Sequence, residues 1–187
     1  QIILPPPPPI TSVISNYNSF NVSCFGANDG SITLNSIGVY TYEWQTSPPQ
    51  YGSTINNLFA GPIDVLALLN GCPSQPIPFD LSEPTEILST INSNNDYNGY
   101  DISCFGFSDG AVNLTNIFGS FPPYNYIWNN GYTTQNISDV TAGVYIVDIT
   151  DANSCTNSNS ITLIEPQLLV LIANFAHDTC DRQVGMA

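Results

Sequence analysis

Lysine is missing from this chain, and Arg182 is its only arginine. Fifteen aspartates and glutamates stand against that one cation, for a formal net charge of −14. Phosphate binding needs several Lys or Arg, so nucleic acid and anionic lipid are excluded as partners. No apolar run comes near the roughly 18–20 residues of a membrane span, so no membrane insertion is expected here. The longest run, QLLVLIANFA at 167–176, reads as a strand and its approach. No basic-then-apolar leader precedes Gln1, and the sequence reads as a mature or internal fragment. The one histidine, His177, has no visible catalytic partner, and no phosphate-binding glycine loop runs into a lysine.

What is present points to an oxidising compartment. Five cysteines (Cys24, Cys72, Cys104, Cys155 and Cys180) form no C-x-x-C pair and accompany no histidine cluster. That argues against zinc and toward disulfides. Scarcity of Lys and Arg also removes trypsin-type cleavage sites, which suits life outside a cell. Three N-x-S/T sequons, at Asn21, Asn113 and Asn136, are no more than an Asn-rich chain produces by chance. With 187 residues, 42% of them hydrophobic, the chain can fill one large or two small cores.

The chain is a tandem repeat. CFGANDG at 24–30 returns as CFGFSDG at 104–110, and Glu83-Pro84 returns as Glu165-Pro166, 82 positions later. Between these marks the order is the same in both copies: SITL and AVNL, YTYEW and YNYIW, then IPFDLSEP and ITLIEP. Short runs of Ile, Val, Tyr and Thr are separated by Gly, Asn, Asp and Pro, the pattern of strands and turns. Tyr124, Tyr126 and Trp128 share one strand face, as do Tyr145, Val147 and Ile149. Six or seven such strands per copy make an antiparallel β-sandwich with Trp44, Trp128 and Tyr145 in the core. The expected division is residues 1–9 as the end of a preceding repeat and a stiff proline linker, 10–84 and 85–166 as complete repeats, and 167–187 as the start of a third.

The succession Cys-x-Gly-x-x-Asp-Gly, aromatic-x-Trp, Ala-Gly-x-Tyr, Asp-Ala-Asn-x-Cys and Glu-Pro resembles the SprB-type repeat of gliding-bacteria adhesins. The resemblance is best over residues 104–166. Copy one departs from it, with Pro62-Ile63 in place of Val144-Tyr145 and Leu69-Asn70-Gly71 in place of the Asp-Ala-Asn turn. The resemblance implies an all-β fold of tandem immunoglobulin-like (or PKD-like) sandwich repeats in a very large extracellular protein. It further implies export by the type IX secretion route and display on the cell surface. The expected function is a structural stalk segment whose partners are neighbouring repeats of the same chain. The alternative is a glycan-binding, lectin-like module or a calcium-stabilised adhesive one.

The chemical readings are set beside structural ones. Asp29 and Asp109, with Asp148 and Asp151, are calcium candidates, yet calcium takes six to eight oxygens and each septet offers one carboxylate. The competing reading makes Asp-Gly a tight turn whose glycine takes positive φ, with no cofactor. Asp148 with Asp151, or Glu43 with a neighbour, could be imagined as a glycosidase pair, but nothing fixes a separation, and no enzyme is expected. Tyr51, Tyr97, Tyr100 and Tyr132 fall in loops, where stacking on surface glycans is open to them.

The cysteines carry the sharpest expectation. In an immunoglobulin domain the bridge joins strands B and F across the core. Here Cys24 and Cys104 precede strand B by six residues, and Cys155 follows Tyr145 by ten. These shifts move the two sulfurs of one copy to opposite ends of the module, tens of ångströms apart at about 3.3 Å per residue. A disulfide needs Cα atoms within about 7 Å. Cys24 is therefore expected to pair with Cys155 in the next copy. By the same rule Cys72 reaches back, while Cys104 and Cys180 reach forward.

Overall fold

Alternating apolar and polar residues make strands, and in the computed structural model every regular element is one. The structure describes residues 4–36 and 38–172. The first set comprises β1 (Ile10–Ile14), β2 (Gly30–Ser36), β3 (Thr41–Trp44), β4 (Gln50–Tyr51), β5 (Thr54–Leu58), β6 (Gly61–Leu69), β7 (Cys72–Pro73) and β8 (Ile77–Leu81). The second comprises β9 (Leu88–Ser93), β10 (Gly110–Phe118), β11 (Asn125–Trp128), β12 (Ile137–Val140), β13 (Gly143–Thr150) and β14 (Thr156–Leu163). Every ladder is antiparallel and stays within one set.

Sheet order is the same in both. β1-β2-β5 faces β4-β3-β6 with β7 and β8 on β6, and β9-β10-β12 faces β11-β13-β14. That is the A-B-E against C-F-G arrangement of an immunoglobulin-like sandwich. The last strand of the first set is split because Ser74, buried, folds onto Ala67. Its N–H donates to the Ala67 carbonyl at 2.8 Å, and its hydroxyl accepts from the Ala67 N–H at 3.2 Å. The interruption thus leaves no backbone group unpaired there.

Each set closes over its own core. Ile32, Leu34, Trp44, Ile55 and Val65 fill the first; Val112, Leu114, Trp128, Val147 and Ile149 fill the second. Trp44 and Trp128 are 0% and 1% exposed, and each indole N–H finds a carbonyl, of Gly52 at 2.9 Å and of Thr134 at 2.8 Å. Truncating either to Ala costs about 3–5 kcal/mol. Tyr145 is buried, and its hydroxyl donates to the Thr141 carbonyl at 2.8 Å, the tyrosine-corner contact of such sandwiches. Ile63 occupies that place in the first set, so the corner is built once.

One expectation needs correction. Residues 167–172 of the apolar run are not a strand, and Leu168 to Ile172 are exposed; the rest of the run lies outside the described residues. A strand needs a ladder partner, and among the described residues none pairs with this segment. Residues 4–9 carry no regular element, and the Gln75 N–H donates to the Pro5 carbonyl at 2.9 Å. Cys180 and His177 lie outside the described residues. Among the described residues, no helix is long and apolar enough to cross a membrane.

Candidate functional site at the junction of the two modules

The repeated septet is a tight turn followed by the first residue of a strand. The Ala27 N–H donates to the Cys24 carbonyl at 3.0 Å, and Phe107 repeats this with Cys104 at 3.1 Å. The third residue of each turn, Gly26 or Gly106, has φ of 69° or 76°, the left-handed region where glycine has no Cβ cost. Its N–H is taken by the glutamate of the Glu-Pro pair. Gly26 donates to Glu83 Oε2 at 2.7 Å and Gly106 to Glu165 Oε2 at 2.6 Å.

The aspartate of each septet closes the other side. Asp29 Oδ1 accepts from the Ser23 N–H at 3.0 Å, and Asp109 Oδ1 from the Ser103 N–H at 3.2 Å. Burial pushes the Asp29 carboxyl up, but hydrogen bonds from Ser23, its own backbone and Tyr17 together outweigh it and hold the group below the usual carboxylate value. Hydrogen bonding from the Ser103 side chain is the main cause of the same lowering at Asp109.

The Asp-Gly glycine does something other than expected. Neither Gly30 nor Gly110 has positive φ; each opens a strand and is buried. A Cβ on Gly30 would lie 2.8 Å from the Leu58 carbonyl oxygen and 2.8 Å from Leu81 Cδ2. On Gly110 it would lie 2.6 Å from Ile102 Cδ1 and 2.8 Å from the Val140 oxygen. The constraint is close packing against the neighbouring strand and core, and the left-handed glycine is the earlier one in the septet.

The turn carries Cys24 to the end of the first module, where it meets the second. Cys24 and Cys155 form a disulfide with Cα atoms 5.5 Å apart across 131 positions of sequence. Cys155 is held by Asp151, which is only 3% exposed. Asp151 Oδ1 accepts from the N–H groups of Asn153 and Cys155, both at 2.8 Å. Its Oδ2 accepts from the Phe121 N–H at 3.0 Å and from the Ser120 hydroxyl. Burial pushes Asp151 up, and these four bonds more than offset it, leaving its pKa lowered.

Other contacts surround the bond. The Phe20 and Phe121 rings meet edge to face at 5.6 Å, and Asn18 Nδ2 donates to Asn153 Oδ1 at 2.6 Å. The linker is pinned to the second module: Ser120 N–H donates to the Thr85 carbonyl at 3.0 Å, and Ile87 sits in the second core. A cleft of about 130 Å³ remains between Cys24, Ile87, Ser120 and Asn157. That is below the roughly 300–1,000 Å³ of ligand pockets.

The remaining candidates are dispersed. Asp148 accepts from the Ser158 hydroxyl on the neighbouring strand. Among the described residues, no three of His, Cys, Asp or Glu come together to hold a metal ion. Cys72 and Cys104 are free and exposed. Tyr51 is 71% exposed and lines an open concavity with Tyr40 and Tyr42, whereas Tyr97 and Tyr100 close a turn by mutual backbone bonds. The Tyr132 carbonyl accepts from the Trp128 N–H at 2.8 Å. Sequence reasoning missed Glu83, Glu165 and the Phe20–Phe121 contact. The recurrence of Glu-Pro at a constant interval was the available signal for the first two.

No curated protein matches the sequence. Among solved structures, the C-terminal 282-residue fragment of intimin, in complex with the intimin-binding domain of the translocated intimin receptor, is similar at 13% identity and a TM-score of 0.41. The match covers 83% of this chain and 64% of the intimin fragment, so the chain spans less than two thirds of its length. The SprB repeat model matches at residues 16–48 and 100–133, each span running from just before the septet to just past the tryptophan. The SprB repeat model thus matches this chain twice in tandem, and the septet of the first matched span lies at the junction with the second module.

Proposed function

We propose that this chain is a stalk segment of a long extracellular adhesin on the surface of a gliding bacterium, exported by the type IX route. One observation carries the reading: the Cys24–Cys155 bond spans two separately cored modules and lies beside a linker fastened to the second of them. A covalent bond and a pinned linker restrict hinge motion, and a chain of such junctions transmits force and holds distance. The charge of −14 on 187 residues keeps neighbouring stalks apart by repulsion. The acidic side chains at the junction serve backbone N–H groups, which supports a structural role over catalysis.

Small-angle scattering on the oxidised and reduced protein tests the reading. The oxidised form is expected to fit one elongated conformer, and the reduced form a broader distribution of intermodule angles. A broad distribution in the oxidised form would remove the stalk argument. A glycan array on the same protein tests the lectin alternative, whose most exposed aromatic is Tyr51.

A further inference from the structure

The second module presents the same septet as the first, and among the described residues no other module is seated on it. Cys104 stands where Cys24 stands, but it is a free, exposed thiol. Leu169 is 94% exposed, whereas Ile87, its counterpart 82 positions earlier, is 4% exposed inside the next module's core. Cys104, Phe105, Pro166, Leu168 and Leu169 line an open concavity of about 350 Å³. The corresponding cleft at Cys24 is about 130 Å³, because Ser120, Cys155 and Asn157 of the following module wall it in.

The complementary end is also on this chain. Cys72 is free and exposed at the hairpin between β6 and β7, as Cys155 lies at the hairpin between β13 and β14. Asn70 and Gly71, both at positive φ, make that hairpin a tight two-residue turn, so the thiol is presented on a rigid edge.

We propose that the Cys104 face is a docking surface for another SprB repeat, entered by the cysteine of that repeat's last hairpin, and that a second copy of this chain fits it through Cys72. The proposal deepens the stalk reading and rests on it. The contact is head to tail, with different surfaces on the two copies, so each added copy leaves a further face open for the next. The apolar residues from Leu168 to Ile172 supply the area to be covered, and the thiols then lock the dock. A small-molecule disulfide is the oxidant. One protein thiolate attacks it and releases one small thiol; the second protein thiolate displaces the other from the mixed disulfide. One S–S bond breaks and one forms, and the two protein thiols are oxidised as the two small thiols appear.

The test uses the full chain with Cys180→Ser throughout, incubated in oxidised glutathione. Mass is followed by light scattering, and linkages are read by chymotryptic peptide mapping without reduction. A ladder of oligomers is expected in which the Cys72–Cys104 peptide dominates. Cys104→Ser and Cys72→Ser should each stop growth at the dimer or below. Leu169→Asp, an exposed change that leaves both cores intact, should slow the ladder about tenfold by removing the docked encounter. Predominant Cys104–Cys104 or Cys72–Cys72 linkages, no gain in mass, or indifference to Leu169→Asp would each overturn the proposal. These outcomes concern contacts between molecules, so they can fail while single oxidised chains still scatter as rigid rods.

Discussion

Glu83 accepts a hydrogen bond from the Gly26 N–H at 2.7 Å, tying the last residues of the first module to the turn that carries its cysteine. Glu165 and Gly106 repeat the contact at 2.6 Å in the second module. The glutamate is fixed nearby because the Asn21 and Val22 N–H groups both donate to the Ser82 carbonyl, at 2.9 and 3.3 Å. The acceptor is charged and partly exposed, so the contact is stronger than a neutral surface bond and weaker than a buried one.

Replacing Glu83 by Ala should therefore lower the first module's stability by about 1 kcal/mol. Gln, which keeps an acceptor oxygen, should recover part of that loss. Thermal melting of the two variants checks this. Equal melting temperatures for Ala and wild type would show that the glutamate contributes nothing to the turn.

The two septet glycines should fail for different reasons. Gly26→Ala meets no atom within 4 Å, and its cost is the left-handed backbone alone, about 1 kcal/mol. Gly30→Ala drives a methyl into a carbonyl oxygen and Leu81, an overpacking cost of about 1–3 kcal/mol or more. Urea titration of both should rank Gly30→Ala as the worse. The reverse order would mean that the left-handed backbone at Gly26 costs more than the close packing at Gly30.

Asp151 should make the junction loop acid-sensitive. Its folded pKa lies below the unfolded value, so the folded state favours the ionised form. The stabilisation is complete above the unfolded value, about 3.9, and is lost as pH falls through the lower folded one. Asp151→Asn should cost about 1–3 kcal/mol at neutral pH, because a carboxylate serving four donors is replaced by an amide with one oxygen. It should also flatten the second module's loss of stability between about pH 4 and pH 2. Stability curves across that window decide it, and an unchanged slope in the variant would assign the acid sensitivity elsewhere.

Chelation should do little. The carboxylates of Asp29, Asp109 and Asp151 already accept hydrogen bonds from backbone N–H groups. We propose that the fold draws no linkage from calcium, and that EDTA shifts the melting temperature by no more than about 2 °C. A shift above about 10 °C would mean that an ion stabilises the native state and that these loops rearrange to bind it.

Some of this was written in the residues. Alternation placed Trp44, Trp128, Val147 and Ile149 on inward faces, because side chains on a strand have a period of two and only one face meets the opposite sheet. The doubled septet marked one local structure made twice, since a turn and its caps depend on residues close in sequence. Displacement of the cysteines from strands B and F pointed away from an in-module bridge, again a matter of counting residues along strands.

The rest required neighbours distant in sequence. Gly30 is a packing glycine because Leu58 and Leu81 close on it, and nothing within the septet distinguishes that from a turn glycine. Glu83 is a cap because the module's last strand ends beside its first turn, 57 positions back in the chain. Ile87 is buried while Leu169, at the same place in the repeat, is exposed: Ile87 enters the second module's core, and among the described residues nothing covers Leu169. Local sequence determines the strand, the turn and the inward face. Which groups meet at the ends of the modules depends on how the sandwiches stack, because those contacts join residues that only tertiary structure brings within bonding distance.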